Sequence, residues 1–122
     1  MPNLAYNPSA LKPVHFWGTS REALRKLGED ARETIGFQLY KLQQGLLPDD
    51  WKPMSGLGVG VNEIRVREEG NAYRLIYVAK FAEAIYVLHA FQKKTRKASR
   101  HDVAIARERY QQLVQWRKVS SP

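Results

Sequence analysis

Residues 61–93, VNEIRVREEG NAYRLIYVAK FAEAIYVLHA FQK, change polarity with a period of two. Asn62, Ile64 and Val66 alternate with Glu63, Arg65 and Arg67, the pattern of a strand with one charged face. Glu69-Gly70-Asn71 reads as a turn. Tyr73 to Lys80 forms a second strand and Ala84 to Phe91 a third, joined by a tight hairpin at Ala82-Glu83. The third strand is apolar on both faces and belongs in a central position. These residues predict an antiparallel meander.

Upstream, Pro2, Pro8 and two Asn make residues 1–12 an irregular arm. Val14-His15-Phe16-Trp17, between Pro13 and Gly18, predicts a first strand. Thr19-Ser20-Arg21-Glu22 has capping-box spacing, so a short helix follows with Leu24 and Leu27 inward, ended by Gly28. Glu29 and Asp30 favour the start of a second helix. There Ile35, Leu39, Leu42 and Leu46 share one face over about 16 residues, until Gly45 and Pro48 stop it. Residues 47–60 are a Pro- and Gly-rich loop. Downstream, Ser99 caps a last helix whose inner face is Val103, Ala106, Tyr110, Leu113 and Arg117. Residues 119–122 are a frayed tail. The sum is one α+β domain over residues 13–118, in the order β-α-α-β-β-β-α, with two N-terminal helices packed on a small sheet and one C-terminal helix.

Charge narrows the function. Of the formal +8, residues 1–51 contribute nothing and residues 52–122 contribute all of it. The run Lys93-Lys94-Thr95-Arg96-Lys97-Ala98-Ser99-Arg100 contains no acid. Such a one-sided field favours a polyanion; a solvated loop is the plain alternative. The chain has no cysteine, which removes disulfides, thiolate nucleophiles and Cys-ligated zinc. Neither a signal peptide nor an apolar run of membrane length is present, so the cytoplasm is the expected location and no membrane partner is expected.

Several motifs fail. Gly56-Leu57-Gly58-Val59-Gly60 precedes a strand rather than a helix and lacks the Lys-Ser/Thr of a phosphate loop, so it reads as a bend. His15, His89 and His101 are not at metal-ligand spacing. Asp49-Asp50 and Glu68-Glu69 fall in turns, and Ser20 and Ser55 have no local His/Asp arrangement. No metal or other cofactor is expected, and a metal-dependent nuclease is disfavoured.

Five segments then fall into a familiar set: Trp17-Gly18-Thr19-Ser20-Arg21-Glu22; Lys52-Pro53-Met54 with Gly56-Leu57-Gly58; Glu63-Ile64-Arg65; Tyr73-Arg74-Leu75-Ile76-Tyr77; and Leu88-His89-Ala90-Phe91-Gln92-Lys93-Lys94-Thr95. Across roughly residues 14–115 the chain resembles the phage-derived branch of the RelE/HigB-like toxin family. The resemblance implies the toxin of a type II toxin–antitoxin pair, which cuts mRNA on the ribosome without metal. It implies as partner a cognate antitoxin, often a small helix-turn-helix protein. Two departures stand out: Glu63 occupies a position where some cleaving members place lysine, and no counterpart to their C-terminal catalytic tyrosine is evident.

Metal-free RNA cleavage turns the 2′-hydroxyl on the adjacent phosphate. It needs a base, cations around the phosphorane and an acid for the 5′-oxygen. Guanidinium groups suit the cationic task. Arg65 is one candidate, with a cross-strand ion pair to Glu83 or Glu63 as its structural alternative. Arg74 is the stronger, because it interrupts an apolar strand and is costly to bury idle; a buried pair with Glu63 is its alternative. Crowded like charges at Lys93 and Lys94 favour loss of a proton from one of them, a base or a donor. His89 suits acid–base work, or is a core imidazole on the Ile85-Val87-Phe91 face. Glu63 is an acid/base or an ion-pair partner. Lys52, Arg67, Arg96, Lys97 and Arg100 would hold RNA phosphate. Tyr73, Tyr77 and Tyr86 either stack on bases or fill the core. On the same fold, a ParE-like gyrase poison and a non-enzymatic prophage RNA- or ribosome-binding protein are the competing readings.

Overall fold

The computed structural model describes residues 10–97 and 99–120. Its elements run β1 (Val14–Phe16), α1 (Ser20–Arg25), α2 (Glu29–Gln43), β2 (Trp51–Pro53), β3 (Val61–Glu68), β4 (Asn71–Val78), β5 (Ile85–Lys93) and α3 (Arg100–Ser120). The α+β class and the β3-β4-β5 meander are as expected. Two features are not.

First, a short strand, β2, lies within the segment read as loop; it pairs antiparallel with β3, Lys52 opposite Glu63. Three residues ending in proline carry too little periodicity to be seen, and proline is tolerated there because β2 is an edge. Second, the sheet is mixed. Its order is β1-β5-β4-β3-β2, and β1 runs parallel to β5, with Val14 opposite Ile85. Polarity alternation reports which face a residue takes, not which strand it pairs with. Flanked by β1 and β4, β5 is interior, which accounts for its apolar residues on both faces.

Helices cover the two faces unequally. Ile35, Leu39 and Leu42 of α2 pack with Ile64, Leu75, Tyr77 and Val87 on one side, where Leu24 and Leu27 also pack. On the other, Ala106 and Leu113 of α3 pack with Val61, Ile76, Val78 and Leu88. Arg117 completes the α3 face by lying 3.6 Å above the Phe81 ring centre.

Local expectations needed three corrections. Leu46 is 52% exposed rather than inward. The helix ends at Gln43, and Gly45 adopts φ +83°, so the chain turns before Leu46 can rejoin the apolar face. Thr19 makes no capping bond. Its hydroxyl instead accepts from Arg109 Nη2 at 2.6 Å, while buried Ser20 donates to the Val87 carbonyl at 3.1 Å. The C-terminal helix extends to Ser120, two residues beyond the domain boundary expected at 118. Of the N-terminal arm, Lys12 is fastened, its Nζ donating to the Ala79 carbonyl at 2.6 Å; residues 1–9, like Ser121 and Pro122, lie outside the described residues.

The glycine loop has a packing role. A Cβ on Gly58 would sit 2.1 Å from Tyr110 Cε2, so the α3 ring occupies the space a side chain would need. Among the described residues no helix is long and apolar enough to cross a membrane.

Candidate functional site

The site begins with register. Arg65 of β3 stands directly opposite Arg74 of β4, and Arg74 opposite Phe91 of β5. Ala72 likewise faces Lys93. Directly paired residues point to the same side of a sheet. The alternation that puts Val61 under α3 therefore carries Arg65 and Arg67 to that same face, beyond the apolar residues α3 covers. Here the sheet is open, and the small Ala72 leaves its floor clear. The result is a cleft of about 610 Å³ lined by Arg65, Arg67, Arg74, Lys93, Lys94 and Arg96, with no acidic residue in its lining.

Carboxylates lie outside this lining. Glu63, 5% exposed, sits with Oε1 3.9 Å from Arg74 Nε and 4.0 Å from Lys52 Nζ. Asp50 Oδ2 is 3.8 Å from Arg65 Nε, so Arg65 pairs with neither Glu83 nor Glu63. Glu83 is held by Arg117 at 2.7 and 3.0 Å, an arrangement that brings its carboxyl down to about 2. The separations at Arg65 and Arg74 give Coulomb attraction without hydrogen bonds. Arg74, 6% exposed, donates from Nη1 to its neighbour Tyr73's carbonyl at 3.0 Å. Arg65 Nε is buried and has no hydrogen-bond partner. Burial lowers the pKa of Arg74, opposed by the Glu63 charge and reinforced by Arg65. The guanidinium nonetheless stays protonated at neutral pH. Each arginine thus has a carboxylate within 4 Å but no hydrogen bond to it, which leaves donors free to meet a further acceptor.

His89 lies elsewhere. The β4–β5 ladder slips between Ile76 and Tyr77: Ile76 pairs with His89, but Tyr77 pairs with Val87. The extra residue, Leu88, is a bulge. Consequently His89 and Phe91 leave the face of Ile85 and Val87 and join the α3 side, which corrects the placement expected from strict alternation. His89 is 7% exposed, stacks on Phe91 at 5.6 Å, and its Nε2 meets Asp102 Oδ1 at 2.8 Å. It is not part of the cleft lining. Asp102, in the first turn of α3, is the partner of His89 that sequence reasoning missed. The available signal was Ser99-x-x-Asp102 spacing, and the Asp102 N–H does donate to Ser99 Oγ at 3.3 Å.

Burial lowers the His89 pKa from 6.5; Asp102 opposes this by hydrogen bond and charge, while Arg109 and His101 add to it. A folded value below the unfolded one means that the unfolded chain binds more protons. The His89 contribution to stability is therefore whole above pH 6.5 and falls as the pH drops through the folded value. Urea midpoints should decrease between pH 7.5 and 5.5, and the decrease should be smaller in His89→Gln. Identical pH slopes in the two proteins would refute this.

Other candidates separate. Lys52 is exposed on the edge strand, and Lys97 and Arg100 are exposed outside the cleft lining. Tyr73, Tyr77 and Tyr86 are 8%, 1% and 1% exposed and fill the core, so none presents a face to a base. Burial pushes the Tyr77 hydroxyl up to about 12. Among the described residues, no three His, Asp or Glu side chains converge as metal ligands.

The cleft lies within a recognisable stretch of sequence. The family model for phage-derived proteins like Gp49 (DUF891) matches residues 22–111, which include β3, β4, β5 and all six cleft cations. Neither the curated proteins nor the solved structures contain a match.

Proposed function

Because this chain belongs to the phage-derived Gp49-like family, part of the RelE/HigB-like toxin superfamily, we propose that it is the toxin of a type II toxin–antitoxin pair and cuts mRNA on the ribosome in the cytoplasm. The observation that supports this reading most is the pair Arg65 and Arg74, adjacent, short of acceptors, and opening into a cleft with four further cations. RNA phosphate supplies the acceptors these groups lack. In the proposed reaction the 2′-oxygen attacks the adjacent phosphorus and the bond to the 5′-oxygen breaks. The 2′-proton leaves to a base, and a proton is delivered to the 5′-oxygen, giving a 2′,3′-cyclic phosphate and a 5′-hydroxyl. Arg65 and Arg74 would hold the non-bridging oxygens, where charge accumulates. Lys93 and Lys94 line the same cleft and are the candidates for moving protons to and from the RNA. Glu63 is better placed behind Arg74 as a brace than in contact with RNA. The partner that silences the protein would be a small helix-turn-helix antitoxin.

Induced expression followed by mapping of mRNA 5′ ends on translating ribosomes tests the proposal. Cuts in phase with codons are expected. Growth arrest with intact mRNA and damaged DNA would replace this reading with gyrase poisoning, and intact mRNA without arrest would leave an RNA-binding protein.

A further inference from the structure

A second cavity adjoins the arginine cleft. It measures about 430 Å³ and shares Gln92, Lys93, Lys94 and Thr95 with the cleft, so these residues form a ridge between the two spaces. Its chemistry differs. The remaining walls are Phe91, Ser99 and Asp102. Asp102 offsets part of the Lys93 and Lys94 charge in this cavity, so phosphate is drawn more strongly to the all-cationic cleft next door. Ring, amide, hydroxyl and carboxylate together match a flat heteroaromatic group with hydrogen-bonding edges, and the volume falls within the ~300–1,000 Å³ of small-ligand sites.

From this juxtaposition, and resting on the RNA reading above, we infer that the cavity is a nucleobase subsite in which Asp102 reads the base next to the phosphate held by Arg65 and Arg74. Asp102 is held in place: the His89 imidazole engages Oδ1 at 2.8 Å, and the Asp102 N–H is capped by Ser99. A carboxylate only accepts, and its two oxygens have room for further donors besides His89. Guanine presents N1–H and the N2 amine side by side and can fill a carboxylate bidentately. Adenine and cytosine offer one exocyclic amine, whereas uracil offers a single N–H between two carbonyls that a carboxylate repels. The expected order is guanine first, adenine and cytosine next, uracil last.

The probes are four fluorescein-labelled RNA octamers: all uridine, and the same strand with one central guanosine, adenosine or cytidine. Fluorescence anisotropy with the intact protein should show the guanosine strand binding about tenfold more tightly than all-uridine, the discrimination typical of one bidentate base contact. Asp102→Asn keeps an oxygen for His89 but substitutes a donor for the other acceptor. It should reduce the guanosine preference to within about twofold, in part by raising all-uridine affinity, because the amide no longer repels the uracil carbonyls. Thermal melting establishes that the variant is folded; should it not fold, the order of the four strands in the unaltered protein decides. Equal affinities for all four would overturn the subsite and leave the phosphate cleft standing. An unchanged preference in folded Asp102→Asn would overturn the role of Asp102. Failure to bind any strand would overturn the subsite, and the RNA reading falls with it only if induced expression also leaves mRNA on translating ribosomes intact.

Discussion

Arg74→Lys should lower mRNA cleavage by about 10²–10³-fold, the usual loss when one donor to transition-state charge is removed. The change keeps a cation beside Glu63, 3.9 Å from Arg74 Nε, so the buried carboxylate is not left alone. It removes the planar fork, which is the feature a phosphorane uses. Arg74→Ala should lose activity to at least the same degree and also destabilise the fold, because Glu63 at 5% exposure then keeps, among the described residues, only Lys52, 4.0 Å away. Comparing the two separates chemistry from folding. The readouts are mapped 5′ ends and growth arrest for activity, and urea denaturation for stability. Full toxicity in Arg74→Lys would remove Arg74 from the mechanism.

The second large effect concerns the bulge. Leu88→Ala should cost about 2–5 kcal/mol, the range for truncating a buried leucine. Leu88 is fully buried against the α3 layer, and its carbonyl accepts from Arg109 Nη1 at 2.8 Å. Arg109 also bonds Thr19, so Leu88 lies where the start of α1, the middle of α3 and β5 are tied together. Equilibrium urea unfolding gives the number. A loss under 1 kcal/mol would mean that the α3 layer closes over the gap. Leu88 does not line the cleft, so the variant should still cleave at temperatures where it remains folded.

Period-two alternation located β3, β4 and β5, and period 3.6 located α2 and α3, because polarity patterns report local geometry directly. The concentration of cations after residue 52 was equally plain. The pairing of Arg65 with Arg74 was not. Two arginines nine positions apart become neighbours only through the turn at Glu69-Gly70 and the register it sets. The Asp50 contact to Arg65 escaped notice because β2 is too short to declare itself. Tyr77 and Tyr86 looked usable for stacking because strand alternation cannot say that helices cover both faces.

By itself, then, the sequence determined that this is a basic α+β chain whose charged positions fall on one face of a sheet strand. It also placed arginine, a group that stays cationic even when buried, at positions 65 and 74. Tertiary structure decided what those charges do. It left the end of the sheet beyond α3 open as a cleft, and it set Glu63 and Asp50 at 3.8–3.9 Å, where they attract the arginines without consuming their donors. It also used one extra residue, Leu88, to turn His89 away from the face predicted for it and onto Asp102. The reason is that alternation is a property of neighbours along the chain. Register, bulges and the reach of a covering helix are settled by residues far apart in sequence.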